Sequence, residues 1–236
     1  MASFSLPSDY PRLRRVRSFA ELGSARFGEG VNALCWERTL PGDFAEIVRA
    51  LGPGEDVATL DEATLHALTL SAQGQVARDV MLRDQQRLRE LDLDPVLNCI
   101  HGYPRDDEDG PVPTDVFSFH VDRASVETDT WLCTYYGPAS EGLRNEEAQR
   151  KVDLPAIRRE LLSRFAGPDD DKFAEYLKAH CYDLHYAAQE GARLFDFGVG
   201  HLWRIATDYP GSPVPPCLHR APSPGPRDPP RLLLIC

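Results

Sequence analysis

The 236-residue chain is 42% hydrophobic, which is enough apolar material for a packed core and argues against wholesale disorder. Its length fits one large domain or two small ones. The formal net charge of −11 would repel phosphate backbones and anionic lipids, so we expect neither nucleic acid nor a membrane as a partner. No apolar run reaches the roughly 18 residues that a membrane span needs.

The cysteines indicate a reducing compartment. There are six, none forms a C-x-x-C pair, and most lie in apolar runs, so we interpret them as reduced thiols that fill a core. The N-terminus carries four arginines between residues 12 and 17, but no long apolar run follows them, which does not fit a secretory signal. The expected location is therefore the cytoplasm.

Residues 1–94 have a mainly helical pattern, and we expect this region to pack on a core formed by the rest of the chain. A basic arm contains a short predicted helix at 19–24, and the apolar run at 31–36 predicts a strand. Apolar residues at helical spacing then predict helices over 42–51 and 61–93, the second of which is broken in two at Gly74.

Residues 95–236 change to a β pattern with a helical insertion at 153–190. In the insertion Pro155 begins one helix, and acidic residues at 169–171 cap a second helix that continues through Leu184. The acidic stretch 105–110 and the proline-rich stretch 222–230 are typical of loops. The expected fold class is α+β. Six runs are strand-like: 96–101, 115–121, 130–136, 193–197, 202–207 and 231–235.

One short motif in the β region has the residue types of a metal site. His120 and Asp122 stand two apart at the end of a strand-like run, so both side chains would lie on one side while Val121 faces away. His219 follows after a further β region, and Arg231 begins the last strand-like run. Two imidazoles and one carboxylate on one face could hold one Fe(II) and would leave three coordination positions open, as oxygen activation requires.

The sequence around these residues resembles the iron(II)/2-oxoglutarate-dependent oxygenases. The resemblance rests on the pattern His120-Val-Asp122, His219 and Arg231, and it covers residues 95–236. It implies a double-stranded β-helix, or jelly roll, as the core fold. Four segments are more closely similar to an uncharacterised bacterial family that forms a divergent branch of this superfamily: Phe119-His-Val-Asp122, Leu132-Cys-Thr-Tyr-Tyr-Gly-Pro138, His219-Arg220-Ala-Pro222 and Arg231-Leu-Leu-Leu234.

The resemblance also implies a chemistry. His120, Asp122 and His219 would hold Fe(II), and Arg231 would pair in a two-bond fork with the C5 carboxylate of the co-substrate 2-oxoglutarate. Molecular oxygen would then hydroxylate or desaturate a small-molecule or amino-acid-like substrate. The presence of Asp122 disfavours a halogenase, in which a halide would need that position vacant. This chain departs from the bacterial family at Arg123, where that family usually has asparagine.

Several further residues are candidates for a substrate pocket. Trp131 and Tyr135 share one face of a predicted strand, and His201 lies in a glycine-flanked turn. Three cations could meet an anionic group of the substrate. One of them, Arg220, follows His219 on a predicted strand, so its side chain should point away from the metal. These cations are Arg123, Arg204 and Arg220.

The sequence leaves other functions open. The same fold could carry an Fe(II) oxygenase that does not use 2-oxoglutarate, or a non-catalytic protein that binds metal for stability or sensing. Cys181 and His185, four apart on the predicted helix, could bind zinc together with His180, although no second ligand pair is evident. A homodimer is also left open.

Overall fold

The computed structural model describes residues 6–105, 110–223, 225 and 228–236, so most of the acidic stretch and part of the proline-rich stretch lie outside the described residues. Within these ranges the backbone forms thirteen β-strands and six α-helices, a mixed α+β protein as predicted. The strands are β1 (Leu13–Val16), β2 (Ala33–Trp36), β3 (Val57–Leu60), β4 (Val96–Ile100), β5 (Phe119–His120), β6 (Asp129–Tyr136), β7 (Glu141–Leu143), β8 (Ala148–Arg150), β9 (His185–Ala188), β10 (Leu194–Asp196), β11 (Leu202–Ala206), β12 (Leu218–Arg220) and β13 (Arg231–Ile235). The helices are α1 (Phe19–Ser24), α2 (Phe44–Leu51), α3 (Glu62–Ala67), α4 (Ala72–Arg89), α5 (Pro155–Phe165) and α6 (Asp171–Ala179).

The strands form two sheets. The larger sheet has the order β1-β2-β11-β6-β13-β4-β3, in which β1 and β2 are parallel and the other neighbours are antiparallel. The smaller sheet has the order β10-β7-β12-β5-β9-β8 and is antiparallel throughout. A shared apolar cluster joins Leu132, Trp203 and Leu233 of the larger sheet to Phe195 of the smaller one. This arrangement is consistent with a β-sandwich.

The other face of the larger sheet is covered by helices. Because side chains alternate along a strand, Trp131, Cys133 and Tyr135 of β6 all point to this face and join one apolar cluster with α2 and α4. The predicted break at Gly74 is wrong, since this residue lies inside α4 and the gap between helices comes earlier. A Cβ at this position would come within 2.5 Å of the Glu46 carboxylate on α2, so a larger residue would require the Glu46 side chain to move.

The N-terminal 94 residues contribute strands as well as helices to this layer. Strands β1 and β2 form one edge of the larger sheet, and β3 forms the opposite edge. The sequence pattern indicated only β2. Three of the four residues of β3 are exposed, so this edge strand has no alternation of apolar and polar residues for a pattern to detect.

The insertion contains the two predicted helices, but the second ends earlier than predicted. Helix α6 stops at Ala179, and Cys181 takes the left-handed conformation with φ of 57°, which a continuing helix cannot accommodate. His185 therefore begins strand β9 of the smaller sheet instead of lying on the helix. The helical face on which the zinc hypothesis placed Cys181 and His185 does not exist.

Candidate metal centre

A tight turn leads into the metal-site motif. The Asp115 carboxylate accepts hydrogen bonds from the backbone amides of Phe117 and Ser118, at 3.0 and 3.3 Å. The strand predicted over 115–121 is therefore a turn followed by the two-residue strand β5. Because β5 pairs with β12 on one side and β9 on the other, His120 lies directly opposite both His219 and His185.

The structure brings the three predicted ligands together. Ligand atoms of His120, Asp122 and His219 all lie within 4.8 Å of one another. The Nε2 atoms of His120 and His219 are 3.9 and 3.6 Å from the two carboxylate oxygens of Asp122, and the two imidazole centroids are 4.6 Å apart. As predicted, Val121 faces away, into an apolar cluster with Leu218.

Hydrogen bonds to the backbone orient both imidazoles. His120 Nδ1 is 2.8 Å from the carbonyl oxygen of Ser118, and His219 Nδ1 is 3.4 Å from that of Cys217. A carbonyl only accepts, so each Nδ1 carries a proton and each Nε2 is the ring atom left to bind a metal. Metal-binding histidines are usually fixed through this kind of second hydrogen bond. Both Nε2 atoms thus lie on the side of Asp122.

The carboxylate of Asp122 is held from the larger sheet. Thr130 on β6 donates a hydrogen bond of 2.5 Å from its hydroxyl to Oδ2 of Asp122. Burial opposes ionisation of Asp122, but the His219 imidazole and the Thr130 hydroxyl outweigh it and hold the pKa below its ordinary value. Asp122 is therefore an anion across the physiological range, as a metal ligand must be.

Burial and the neighbouring His219 lower the pKa of His120 from 6.5 to about 4. His120 is consequently neutral near pH 7. Neutral imidazole is the form that binds a metal ion.

This lowered pKa predicts how the metal-free protein responds to acid. Between pH 6.5 and 4 the unfolded chain binds a proton at residue 120 that the folded chain does not. The contribution of His120 to stability is complete above pH 6.5 and is lost as the pH falls towards 4. The unfolding free energy of the metal-free protein should fall between pH 7 and pH 5. With a chelator present, denaturant titrations should show that this fall is smaller by about 1–2 kcal/mol in His120→Asn. The same substitution at the exposed His66 is the control, and an equal reduction there would contradict the assignment.

A buried arginine lies near the three ligands. Arg231 is 4% exposed, and its guanidinium donates to the hydroxyls of Ser140 at 2.6 Å, Thr134 at 2.9 Å and Tyr103 at 3.4 Å. Burial lowers the pKa of Arg231 from its ordinary value, yet an arginine side chain stays protonated in proteins. Among the described residues no carboxylate lies within ion-pair distance of it, although burying an unpaired charge is costly.

One cavity connects the ligands with this arginine. It has a volume of about 200 Å³, and its wall includes His120, Asp122, His219, Arg231 and Ser140. The cavity lies between the two sheets, since its wall also draws on inward-facing residues of β4, β6 and β13. The anionic end of a bound molecule would therefore find the buried cation, while its other end reaches the metal group.

Three of the proposed pocket residues lie away from this cavity. Trp131 and Tyr135 face the helices, and the Tyr135 hydroxyl donates to Asp84 of α4 at 2.9 Å. Arg204 forms an ion pair of 2.7 Å with Asp129 and donates to backbone carbonyls at the end of α1. These side chains support the core, and none of them lines the cavity.

Of the remaining proposed pocket residues, two lie away from the metal group and one lies beside it. Arg220 points away from the metal group, as its strand position predicts, and pairs with Glu141 at 2.6 Å. The Nδ1 atom of His201 accepts a hydrogen bond from the backbone amide of Arg38, outside the cavity. Arg123 does lie beside the metal group, in the wall of a separate cavity that also includes His120 and Asp122.

Sequence reasoning missed the residues that support the ligands. Thr130, Thr134 and Ser140 are small polar residues in or beside a strand, and nothing in their local sequence distinguishes them from other strand residues. The alternation of β6 carries a weak signal, because Thr130 and Thr134 fall on the face opposite Trp131 and Tyr135. The position of His185 opposite His120 could not be predicted, because its segment was predicted to be helical.

No protein-family model matches this chain, and neither a curated protein nor a solved structure is significantly similar to it. Within the described residues, no helix has the length and apolar character needed to cross a membrane. All six cysteines are free thiols, four of them buried, consistent with the expectation that they mostly fill the core.

Proposed function

We propose that this protein is a cytosolic non-haem oxygenase that uses Fe(II) and 2-oxoglutarate to hydroxylate or desaturate a small molecule. The observation that carries the proposal is the shared cavity. A two-histidine, one-carboxylate group and a buried arginine without a carboxylate partner among the described residues line the same space of about 200 Å³. The sequence resemblance over residues 95–236 agrees with this interpretation.

The fold supports the proposal in outline. We infer that the sandwich of the two sheets is a double-stranded β-helix, with the larger sheet backed by helices and the smaller sheet carrying the ligands. Two of the ligands come from the adjacent central strands β5 and β12, and Arg231 begins β13 of the larger sheet. The proposed co-substrate would therefore bind between the sheets.

The donor set fits Fe(II). Two imidazole nitrogens and one carboxylate oxygen form the ligand set of non-haem iron oxygenases and leave positions for further ligands. When bound, the iron supplies oxygen activation coupled to oxidative decarboxylation of 2-oxoglutarate. The residues of this chain hold and orient it: Ser118 and Cys217 fix the two imidazoles through their carbonyls, and Thr130 fixes the carboxylate.

Arg231 fits a dicarboxylate co-substrate. Nε and Nη2 of Arg231 donate to Thr134 and Ser140, and Nη1 donates to Tyr103, which leaves one Nη1 N–H for a carboxylate; this charge-assisted pairing offsets the cost of a buried cation. Ser140, Thr134 and Tyr103 already fix the arginine in one position, so little side-chain entropy remains to be lost on binding. The C5 carboxylate of 2-oxoglutarate would meet this group while its keto-acid end faces the metal ligands.

The proposal is tested by anaerobic titration of the metal-free protein with Fe(II) and 2-oxoglutarate. Chelation of the iron by the keto acid should produce a visible metal-to-ligand charge-transfer band. Oxygen should then convert 2-oxoglutarate to succinate and CO₂. Tight Fe(II) binding without the band would favour an oxygenase independent of 2-oxoglutarate or a non-catalytic metal protein. Absence of metal binding would refute the site itself.

Arg231→Gln separates co-substrate binding from metal binding. We expect the affinity for 2-oxoglutarate, measured from the band, to fall about 10-fold to 100-fold, because a charge-assisted hydrogen bond contributes roughly 1.5–3 kcal/mol. Fe(II) affinity should stay within a factor of a few, since Arg231 is not a ligand. Arg220→Gln is the matched control, because this arginine is close in sequence to His219 but points away. Equal effects of both substitutions would argue against Arg231 as the co-substrate anchor.

A further inference from the structure

The metal group borders a second space that Arg231 does not reach. A cavity of about 420 Å³ has His120 and Asp122 in its wall but is separate from the cavity that contains the arginine. It adjoins a third cavity of about 520 Å³, with which it shares Val121, Arg123, Lys178 and Leu184. Because 2-oxoglutarate is assigned to the Arg231 side, these adjoining cavities remain for another molecule. Volumes of this order are typical of small-molecule sites.

Two cations in the wall of the 520 Å³ cavity lack an acidic partner. Among the described residues, neither Lys178 nor Arg150 has a carboxylate within ion-pair distance. Arg150 uses its Nε to donate to the backbone carbonyl of Asp183 at 3.3 Å, which leaves its two Nη groups for a ligand. Both residues are exposed to the cavity and to solvent. An anion entering here would meet two available donors.

The acidic groups of the same wall are already neutralised. The Arg123 guanidinium donates to Asp183 at 2.5 Å and to Asp208 at 2.9 Å. The charged residues that line the 520 Å³ cavity are Arg123, Arg150, Lys178, Asp183 and Asp208, which give it a formal charge of +1. The adjoining 420 Å³ cavity adds the carboxylates of Asp115 and Asp122, so only the 520 Å³ cavity has a surplus of positive charge. This positive balance stands out in a chain whose formal net charge is −11. A local surplus of positive charge attracts anions.

We propose that the adjoining cavities bind the primary substrate and that this substrate carries an anionic group, a carboxylate or a phosphate, held by Lys178 and Arg150. The part of the substrate to be oxidised then lies in the 420 Å³ cavity, beside His120 and Asp122. Arg123, locked by two aspartates, forms a fixed wall between the two parts. This inference rests on the proposed oxygenase function and adds the class of substrate to it.

The test measures anion binding to the metal-free protein, with inorganic phosphate and acetate as separate probes at low ionic strength. Amide chemical shifts in ¹⁵N-labelled protein report where each probe binds. We expect shifts at residues 150 and 178, and an affinity about 2-fold to 30-fold lower in the double variant Arg150→Gln with Lys178→Gln, because both cations are exposed. The matched control combines Arg159→Gln on α5 with Lys172→Gln on α6, which removes the same charge but touches neither cavity wall.

Each outcome has a distinct meaning. Binding of phosphate alone, of acetate alone or of both supports the site and identifies the anion class. Equal affinities in the two double variants, shifts confined to the surroundings of Arg231, or no shifts at all would overturn the inference. The Arg150 and Lys178 double variant should keep the charge-transfer band with Fe(II) and 2-oxoglutarate, because neither residue lines the Arg231 cavity. If the proposed oxygenase function is wrong, that band will be absent in the unmodified protein as well.

Discussion

Replacing His219 by alanine is expected to lower the affinity for Fe(II) by more than about 100-fold. Even residues that only orient a metal ligand contribute 10–100-fold, so loss of a ligand should cost at least that much. His219 is 7% exposed, and its Nε2 is 3.6 Å from Asp122. Removal of the imidazole leaves one histidine and one carboxylate, which is too few protein ligands for tight binding of Fe(II).

The measurement is an anaerobic Fe(II) titration in competition with a chromogenic chelator. His201→Ala is the matched control, because His201 is a half-buried histidine that accepts its hydrogen bond from Arg38 outside the cavity. Asp122→Asn should weaken binding in the same way, since it removes the negative charge while keeping the size of the side chain. Unchanged affinity in His219→Ala, with the unfolding free energy also unchanged, would show that the metal binds elsewhere.

Replacing Asp84 by asparagine is expected to destabilise the fold by about 3–5 kcal/mol, the range measured when one partner of a buried ion pair is removed. The Asp84 carboxylate is 1% exposed and accepts hydrogen bonds from Arg38 at 2.5 and 2.8 Å and from Tyr135 at 2.9 Å. The substitution leaves the Arg38 guanidinium, which is 9% exposed, without its counter-charge beneath α4.

Chemical denaturation of the metal-free protein measures this effect. Asp79→Asn on the same helix is the control, because its carboxylate is half-exposed and surface pairs contribute about 1 kcal/mol or less. A double-mutant cycle with Arg38→Met should show strong coupling between residues 38 and 84. A small effect of Asp84→Asn would mean that water or a neighbouring group compensates the arginine. Tyr135 belongs to this network and does not line the cavity beside the metal group.

The helices and long strands could be predicted from local pattern. Helix α1 has the predicted bounds, and β4, β6, β11 and β13 lie within one residue of the predicted runs, because each of these strands is a mostly apolar run. The short strands of the smaller sheet, such as β5 and β12, hold two or three residues and have no measurable period. Their pairing depends on contacts between segments that are far apart in the chain.

The sequence by itself determined the identity of the candidate metal group. His120 and Asp122 share a side of the chain through the two-residue period of a strand, and His219 completes the set of donor types. Only the tertiary structure decided that these three groups meet, that Thr130 supports the carboxylate, and that Arg231 is buried in the same cavity. It also decided that Trp131, Tyr135 and Arg204 serve the helix-covered face. The physical reason is that side-chain alternation assigns a residue to one of two faces, while the packing of sheets and helices determines what each face contacts.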